Sequence, residues 1–264
     1  MAVPSDPIKA ICKLLQSAQY RHDIHRLFSD CMETAAIAIS NAVDLRQRDA
    51  REARYMEIVG RYDRETVEMF PRVLAELALA LEEEHRDVLG LVFGELGVAN
   101  TVRGQFFTPY SLCRTMAAMT LGGGDSAKTL IEEKGFISGM EPACGAGAMV
   151  IALADALHAQ GINYQRHLHV TAVDIDPRAV HMAYLQFSLL HIPAHVVVGN
   201  SLSLETRENW YTPAHILGGW NAKLAKREAT RGPVAPLPPV AEPPPAAPRG
   251  KPEPYRAPSQ LSLF

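Results

Sequence analysis

The residues with most chemical potential in this chain stand together in the run Glu141-Pro142-Ala143-Cys144-Gly145-Ala146-Gly147. Phe136 to Met140 reads as a short buried strand. From Ala146 to Ala159 apolar residues recur at helical spacing, so the glycines fall at a strand-to-helix turn. Ligands of open α/β sheets collect at such turns. Glycine lets the backbone approach a ligand with no Cβ between, and the first N–H groups of the following helix lack intrahelical partners. Glu141, at the strand end, can accept from an ammonium group. A dinucleotide fingerprint would need a third glycine near Val150, and the sequence has none there.

Two further strand-like runs follow. Leu168 to Val173 ends in Asp174-Ile175-Asp176-Pro177 and leads into a helical stretch from Arg178 to Leu190. An acid at the tip of a second strand can hold two ribose hydroxyls. Val196 to Gly199 ends in Asn200-Ser201-Leu202. Three strands are thus expected to present polar groups at their carboxyl ends. The apolar run from Ala214 to Gly219 is the candidate fourth strand, with Asn209, Trp210 and Tyr211 just before it.

These runs, with Gly104-Gln105-Phe106-Phe107-Thr108-Pro109 upstream, resemble the amino-methyltransferases that modify adenine in DNA, especially the modification subunits of type I restriction systems. The resemblance covers roughly residues 25 to 205. It implies a Rossmann-like class I α/β sheet that binds S-adenosylmethionine, preceded by an N-terminal helical domain. Carried over residue by residue, it implies that Gln105, Phe107, Thr108 and Pro109 close over the methionine end. Glu141, Pro142, Ala143, Cys144, Gly145 and Gly147 form the cofactor loop. Asp174 binds the ribose, Ile175 packs on the adenine ring, and Asn200 is the polar residue after the third strand.

One family element is missing. The family places an (N/D)PP(Y/F) tetrapeptide after the fourth strand, where it accepts from the adenine amino group and stacks on the flipped base. The sequence contains no such tetrapeptide. Asn200, Asn209 and Tyr211 are the substitutes on offer, the last two at the wrong end of the expected strand. The sheet also reads as truncated, at about four strands of the seven that the resemblance implies. Its bare edge would be an association hazard, so the N-terminal helices, a second copy, or a second methyltransferase or specificity chain is expected to cover it. Three readings stay open: a DNA adenine methyltransferase-like protein, a non-catalytic methyltransferase-shaped adaptor, and a methyltransferase acting on RNA or protein.

The 264 residues are 47% hydrophobic, enough for a sizeable core, and the formal net charge of −3 excludes heavy phosphate neutralisation by the whole molecule. DNA contact must therefore be local. Arg46 to Arg54 holds four arginines, but Asp44, Asp49, Glu52 and Glu57 interleave with them, which describes a solvated helix face. Cys12, Cys31, Cys113 and Cys144 are spaced too widely for a zinc site and suit a reducing compartment, and His22 with His25 reads as surface. No metal, membrane segment or secretion signal is expected, and the cytoplasm is the expected location. Residues 1–100 read as helical. Phe70, Leu74, Leu77, Leu81, Val88, Val92 and Leu96 make one stripe, with Pro71 in the first turn of its helix. The methyltransferase-like part spans 101–228.

From 229 the composition changes. Eleven of the twenty-six residues from Pro233 to Pro258 are proline, so 229–258 is expected to be an extended spacer. The segment 259–264 follows, and its Gln260-Leu261-Ser262-Leu263-Phe264 is similar to the peptide by which bacterial polymerases and repair proteins dock on the DNA sliding clamp. That similarity implies polar contacts from Gln260 and an apolar anchor from Leu261, Leu263 and Phe264.

Overall fold

The computed structural model describes residues 6–97, 108–122 and 124–231. In chain order these form α1 (Pro7–Gln16), α2 (Ile24–Asn41), α3 (Arg48–Val59), α4 (Arg64–Glu83), α5 (Val88–Glu95), α6 (Tyr110–Leu121) and α7 (Gly124–Lys134). There follow β1 (Ile137–Glu141), α8 (Ala148–Ala159), α9 (Tyr164–His167), β2 (Leu168–Asp174), α10 (Pro177–Leu189), β3 (Ala194–Asn200), β4 (Glu205–Tyr211), α11 (Pro213–Leu217) and α12 (Trp220–Arg231). Gln105, Phe107, Gln260, Leu261, Leu263 and Phe264 lie outside the described residues. Among those described, no helix is long and apolar enough to cross a membrane.

Aspartates start four of the helices from α1 to α5. Asp6, Asp23, Asp63 and Asp87 accept from the N–H groups of Ile8, Arg26, Thr66 and Gly90, which satisfies first-turn donors that would otherwise have none. Two of these caps correct the single stripe from Phe70 to Leu96. Asp63 starts α4 well ahead of Phe70, so Pro71 lies inside that helix rather than in its first turn. Asp87 then starts a separate helix after Glu84 has turned extended. Both helices bury apolar residues at helical spacing, so periodicity alone does not show the break.

The sheet has the order β1-β2-β3-β4, with β1–β2 and β2–β3 parallel and β3–β4 antiparallel. On one face, Leu168, Val170 and Ala172 of β2 and Ala194, Val196 and Val198 of β3 are buried. Helix α10 packs there. Every residue from Ala179 to Ser188 is buried, because α2, α4 and α5 cover the side of α10 that the sheet leaves open. A helix enclosed on all sides loses the polar stripe of a surface helix. One buried apolar cluster accordingly runs from Ile11 in α1 to Trp210 in β4.

The fourth strand differs from the expectation. Ala214 to Gly219 is not a strand. Pro213 follows the N-cap Thr212, and a proline in that position has a preset φ and no N–H to waste, so the run starts α11. The strand is Glu205–Tyr211, which folds back on β3 through a turn where Leu204 takes a φ of 60° and the pairing shifts register at Val198/Gly199. The N-terminal helices supply cover at its outer side. Arg51 of α3 donates to the Asn209 carbonyl at 2.8 Å, and its guanidinium lies 4.0 Å from the centre of the Trp210 ring. Arg51 also pairs with Asp44 at 3.1 Å and bonds Ser40. It is only 11% exposed in its side chain, so the Arg46 to Arg54 stretch is not simply a solvated face. The other edge of the sheet is β1, where Met140 is 62% exposed.

Candidate functional site at the carboxyl ends of the parallel strands

The glycine run occupies the turn between β1 and α8, tied to the neighbouring strand at two points. The Cys144 N–H donates to the Val173 carbonyl at 2.9 Å, and the Gly145 N–H donates to Oδ2 of Asp174 at 2.9 Å. Glu141 accepts from the Ala143 N–H through Oε1 at 3.2 Å. Pro142 and Ala143 are exposed. Gly145 and Gly147 take φ values of 53° and 102°, which favour glycine. The two glycines serve different ends. A Cβ on Gly147 would run into the ring of Phe187, so close packing on α10 by itself requires glycine there. Burial pushes the Cys144 thiol well up, so the cysteine acts as a small apolar packing group and not as a nucleophile.

Asp174 is the junction of the site. Its Oδ1 accepts from the Asp176 N–H at 2.9 Å while Oδ2 holds Gly145. Each carboxylate oxygen has a second acceptor direction, and the side chain is only partly buried. The residues therefore fit the cofactor that the resemblance implies: a fixed acid with spare acceptor capacity beside a glycine turn that opens helix α8. Ile175, next in sequence, is 61% exposed, and its carbonyl accepts from Arg207 at 2.6 Å. Asn200 stands at the end of β3, where its Oδ1 accepts from the Leu202 and Ser203 N–H groups at 3.0 and 3.3 Å. This is a turn-forming role that the sequence reading did not assign.

Thr108 and Pro109 are exposed at the start of α6, and Thr108 accepts the Cys113 thiol through its carbonyl. Helix α6 packs on α8, with Arg114 beside Asp155 and with Ala117 and Thr120 sharing a 180 Å³ cleft with Glu141 and Met149. The two helices thus run in opposite directions. The first turn of α6 is carried toward Asp155, and the structure does not bring Thr108 or Pro109 over Gly147.

Gln186 was missed by sequence reasoning. It is fully buried in α10, and its Oε1 accepts from the Val88 and Leu89 N–H groups at 2.8 and 3.1 Å. Its Nε2 donates to Asp87 Oδ1 at 2.9 Å and to the Ala146 carbonyl at 2.8 Å. One amide thereby fixes the glycine turn to the start of α5. The only signal in the sequence is a lone glutamine inside an apolar helix.

Asn209 and Tyr211 lie toward the opposite end of the sheet from Asn200, because β4 runs antiparallel to β3. Asn209 Oδ1 bonds Nε2 of His195 at 2.7 Å, and Tyr211 stacks on the His195 ring at 4.5 Å. Nearby, His169 Nε2 meets His215 Nδ1 at 2.9 Å, and His215 Nε2 meets Asn221 Oδ1 at 2.9 Å. Burial holds all three histidines below the ordinary value. His169 falls to about 3, with His215 and His195 adding to the effect of burial. Asn209 and Tyr211 are therefore committed to a neutral histidine cluster and are not brought to the glycine turn.

No curated protein matches the chain. Residues 91–218 match the family model described as N-6 DNA Methylase, a span that runs from α5 to α11 and contains the glycine turn, Asp174 and Asn200. Residues 91–218 of this chain are an N-6 DNA methylase family domain.

Proposed function

We propose that this chain is a DNA adenine N6-methyltransferase-like protein that binds S-adenosylmethionine at the carboxyl ends of β1, β2 and β3. Its tail reaches the bacterial sliding clamp through Gln260, Leu261, Leu263 and Phe264. The four-stranded sheet is read as the beginning of a Rossmann-like class I fold. The observation that carries the reading is the bond from the Gly145 N–H to Asp174, which couples the cradle at the first strand to the acid at the second. In this reading Asp174 receives the ribose hydroxyls on its free lone pairs, Ile175 packs on the adenine ring, and Glu141 faces the ammonium end. Bound there, S-adenosylmethionine supplies an electrophilic methyl group on sulfur.

A second reading, a non-catalytic adaptor that occupies the clamp or partners a complete methyltransferase, is favoured by a separate observation. Asn209 and Tyr211, the substitutes for the family tetrapeptide, are taken up by His195, which leaves a flipped base without a stacking partner there. Calorimetric titration with S-adenosylmethionine, followed by tritium transfer to adenine-containing DNA, separates the cases. Heat of binding with little or no transfer by the purified chain is the expected result. Robust transfer abolished by Asp174→Ala removes the adaptor reading, and absence of heat and of any thermal shift removes the cofactor site.

A further inference from the structure

The amino end of β1 carries a feature that the cofactor reading does not use. A groove of about 440 Å³ lies between the end of α7 and α12, and its lining includes Lys134, Lys223, Lys226 and Arg227 with a single acid, Glu133. In a chain whose formal net charge is −3, this is a local concentration of positive charge. Among the described residues none of the four cations stands in an ion pair. Lys134, Lys223 and Lys226 are exposed.

The fold holds these charges together against their repulsion. Trp220 anchors α12 by packing edge-on against Phe136 with centres 5.0 Å apart and by lying 5.2 Å from His169. Arg227 donates to the Phe136 carbonyl at 3.2 Å and sits 4.6 Å from the Phe136 ring centre, and Lys223 lies 4.3 Å from the Trp220 ring centre. Lys223, Lys226 and Arg227 stand at i, i+3 and i+4, so like charges are neighbours on one helix face, an arrangement that costs stability until an anion relieves it.

We propose that this groove binds the phosphate backbone of nucleic acid, as a surface separate from the glycine turn. The two lie at opposite ends of β1, whose five residues span roughly 16 Å. The choice of nucleic acid over another polyanion rests on the DNA methylase reading. The lysine ammonium groups act as point charges with no geometry for reading bases, so binding here is independent of sequence and positions the duplex without selecting a site.

The test is titration of a fluorescein-labelled 20-base-pair duplex, without cofactor, across a range of salt concentrations. The proteins compared are the full chain, the triple variant Lys134→Gln/Lys223→Gln/Lys226→Gln, and a charge-matched control, Lys9→Gln/Lys13→Gln/Arg72→Gln. The groove variant is expected to bind about tenfold more weakly or worse at low salt. Its plot of log affinity against log salt should flatten by roughly 0.9 for each lost phosphate contact. The control should keep the wild-type slope, and the groove variant, relieved of like-charge repulsion, should melt no lower than the wild type. A wild-type chain that does not bind the duplex, or a groove variant no weaker than the control, overturns the proposal. Displacement of the duplex by polyglutamate, charge for charge, overturns it in favour of an acidic protein segment. Because no cofactor is present, failure of the S-adenosylmethionine site leaves this titration unchanged.

Discussion

The Gly145 N–H and the Asp174 carboxylate meet at 2.9 Å across the gap between β1 and β2. The acid that would hold a ribose thus also fixes the cradle that would hold the rest of the cofactor, and the two functions cannot be mutated independently. Asp174→Ala is expected to weaken S-adenosylmethionine binding at least tenfold, about 1.4 kcal/mol, because a charged acceptor and the loop's tether are lost together. Asp174→Asn retains an acceptor for Gly145 and should lose less. Calorimetry on the two variants checks the order, and equal affinity in wild type and Asp174→Ala would contradict the role.

Gln186 should be a stability determinant out of proportion to its size. Gln186→Leu fills similar volume but leaves two α5 N–H groups, the Ala146 carbonyl and Asp87 without their buried partner. A loss of about 2 to 4 kcal/mol in urea unfolding is expected. Gln186→Glu should be worse, since a carboxylate would face two acceptors, Asp87 and the Ala146 carbonyl. A cost below about 0.5 kcal/mol for the leucine variant would show that these bonds are not needed.

Acid should destabilise the fold well before its carboxylates titrate. Burial holds His169, His181, His195 and His215 below the ordinary histidine value of 6.5, His169 at about 3. Once unfolded, the same residues charge near 6.5, so below that pH the unfolded state binds more protons and stability falls. Each contributes up to about 1.4 kcal/mol per pH unit over the window between 6.5 and its depressed value. Above pH 7.5 the four add no slope. Urea midpoints at pH 8, 6.5 and 5.5 test this, and His181→Phe should flatten the acid limb by about one proton. A midpoint constant from pH 8 to 5 would sink the prediction.

The tail should work without the fold. A peptide ending in Gln260 to Phe264 is expected to compete with the full chain for the bacterial sliding clamp. Leu263→Ala/Phe264→Ala should remove binding, since apolar anchors in a desolvated pocket carry most of the energy, whereas Ser262→Ala should be nearly silent. Truncation after Pro258 should abolish the contact with no change in melting temperature. Retention of the clamp by the truncated protein would return the tail to an ordinary end.

The sequence by itself determined the first three strands, their helices and the glycine turn, because these depend on local signals: apolar runs of strand length, helical spacing, and glycines where φ is positive. The observed bounds of β1, β2 and β3 lie within a residue or two of the expected ones. The same signals misplaced β4. The apolar run from Ala214 has strand character by composition, whereas Thr212 and Pro213 start a helix there, and Glu205–Tyr211, polar and exposed over its first four residues, becomes a strand only by pairing with β3. Cover of that strand by the N-terminal helices was among the expected alternatives, but the contact that makes it was not legible, since Arg51 and Trp210 are far apart in the chain and nothing local marks their stacking. Tertiary structure also decided what the candidate residues do. It made Gly147 a packing requirement of Phe187, turned Asn200 to its own loop, gave Asn209 and Tyr211 to His195, and made Gln186 the link between α5 and the glycine turn. Residue type and spacing state which hydrogen bonds a side chain can make. Only the packed chain decides which partner is within 3 Å, and a buried polar group must bond what is there.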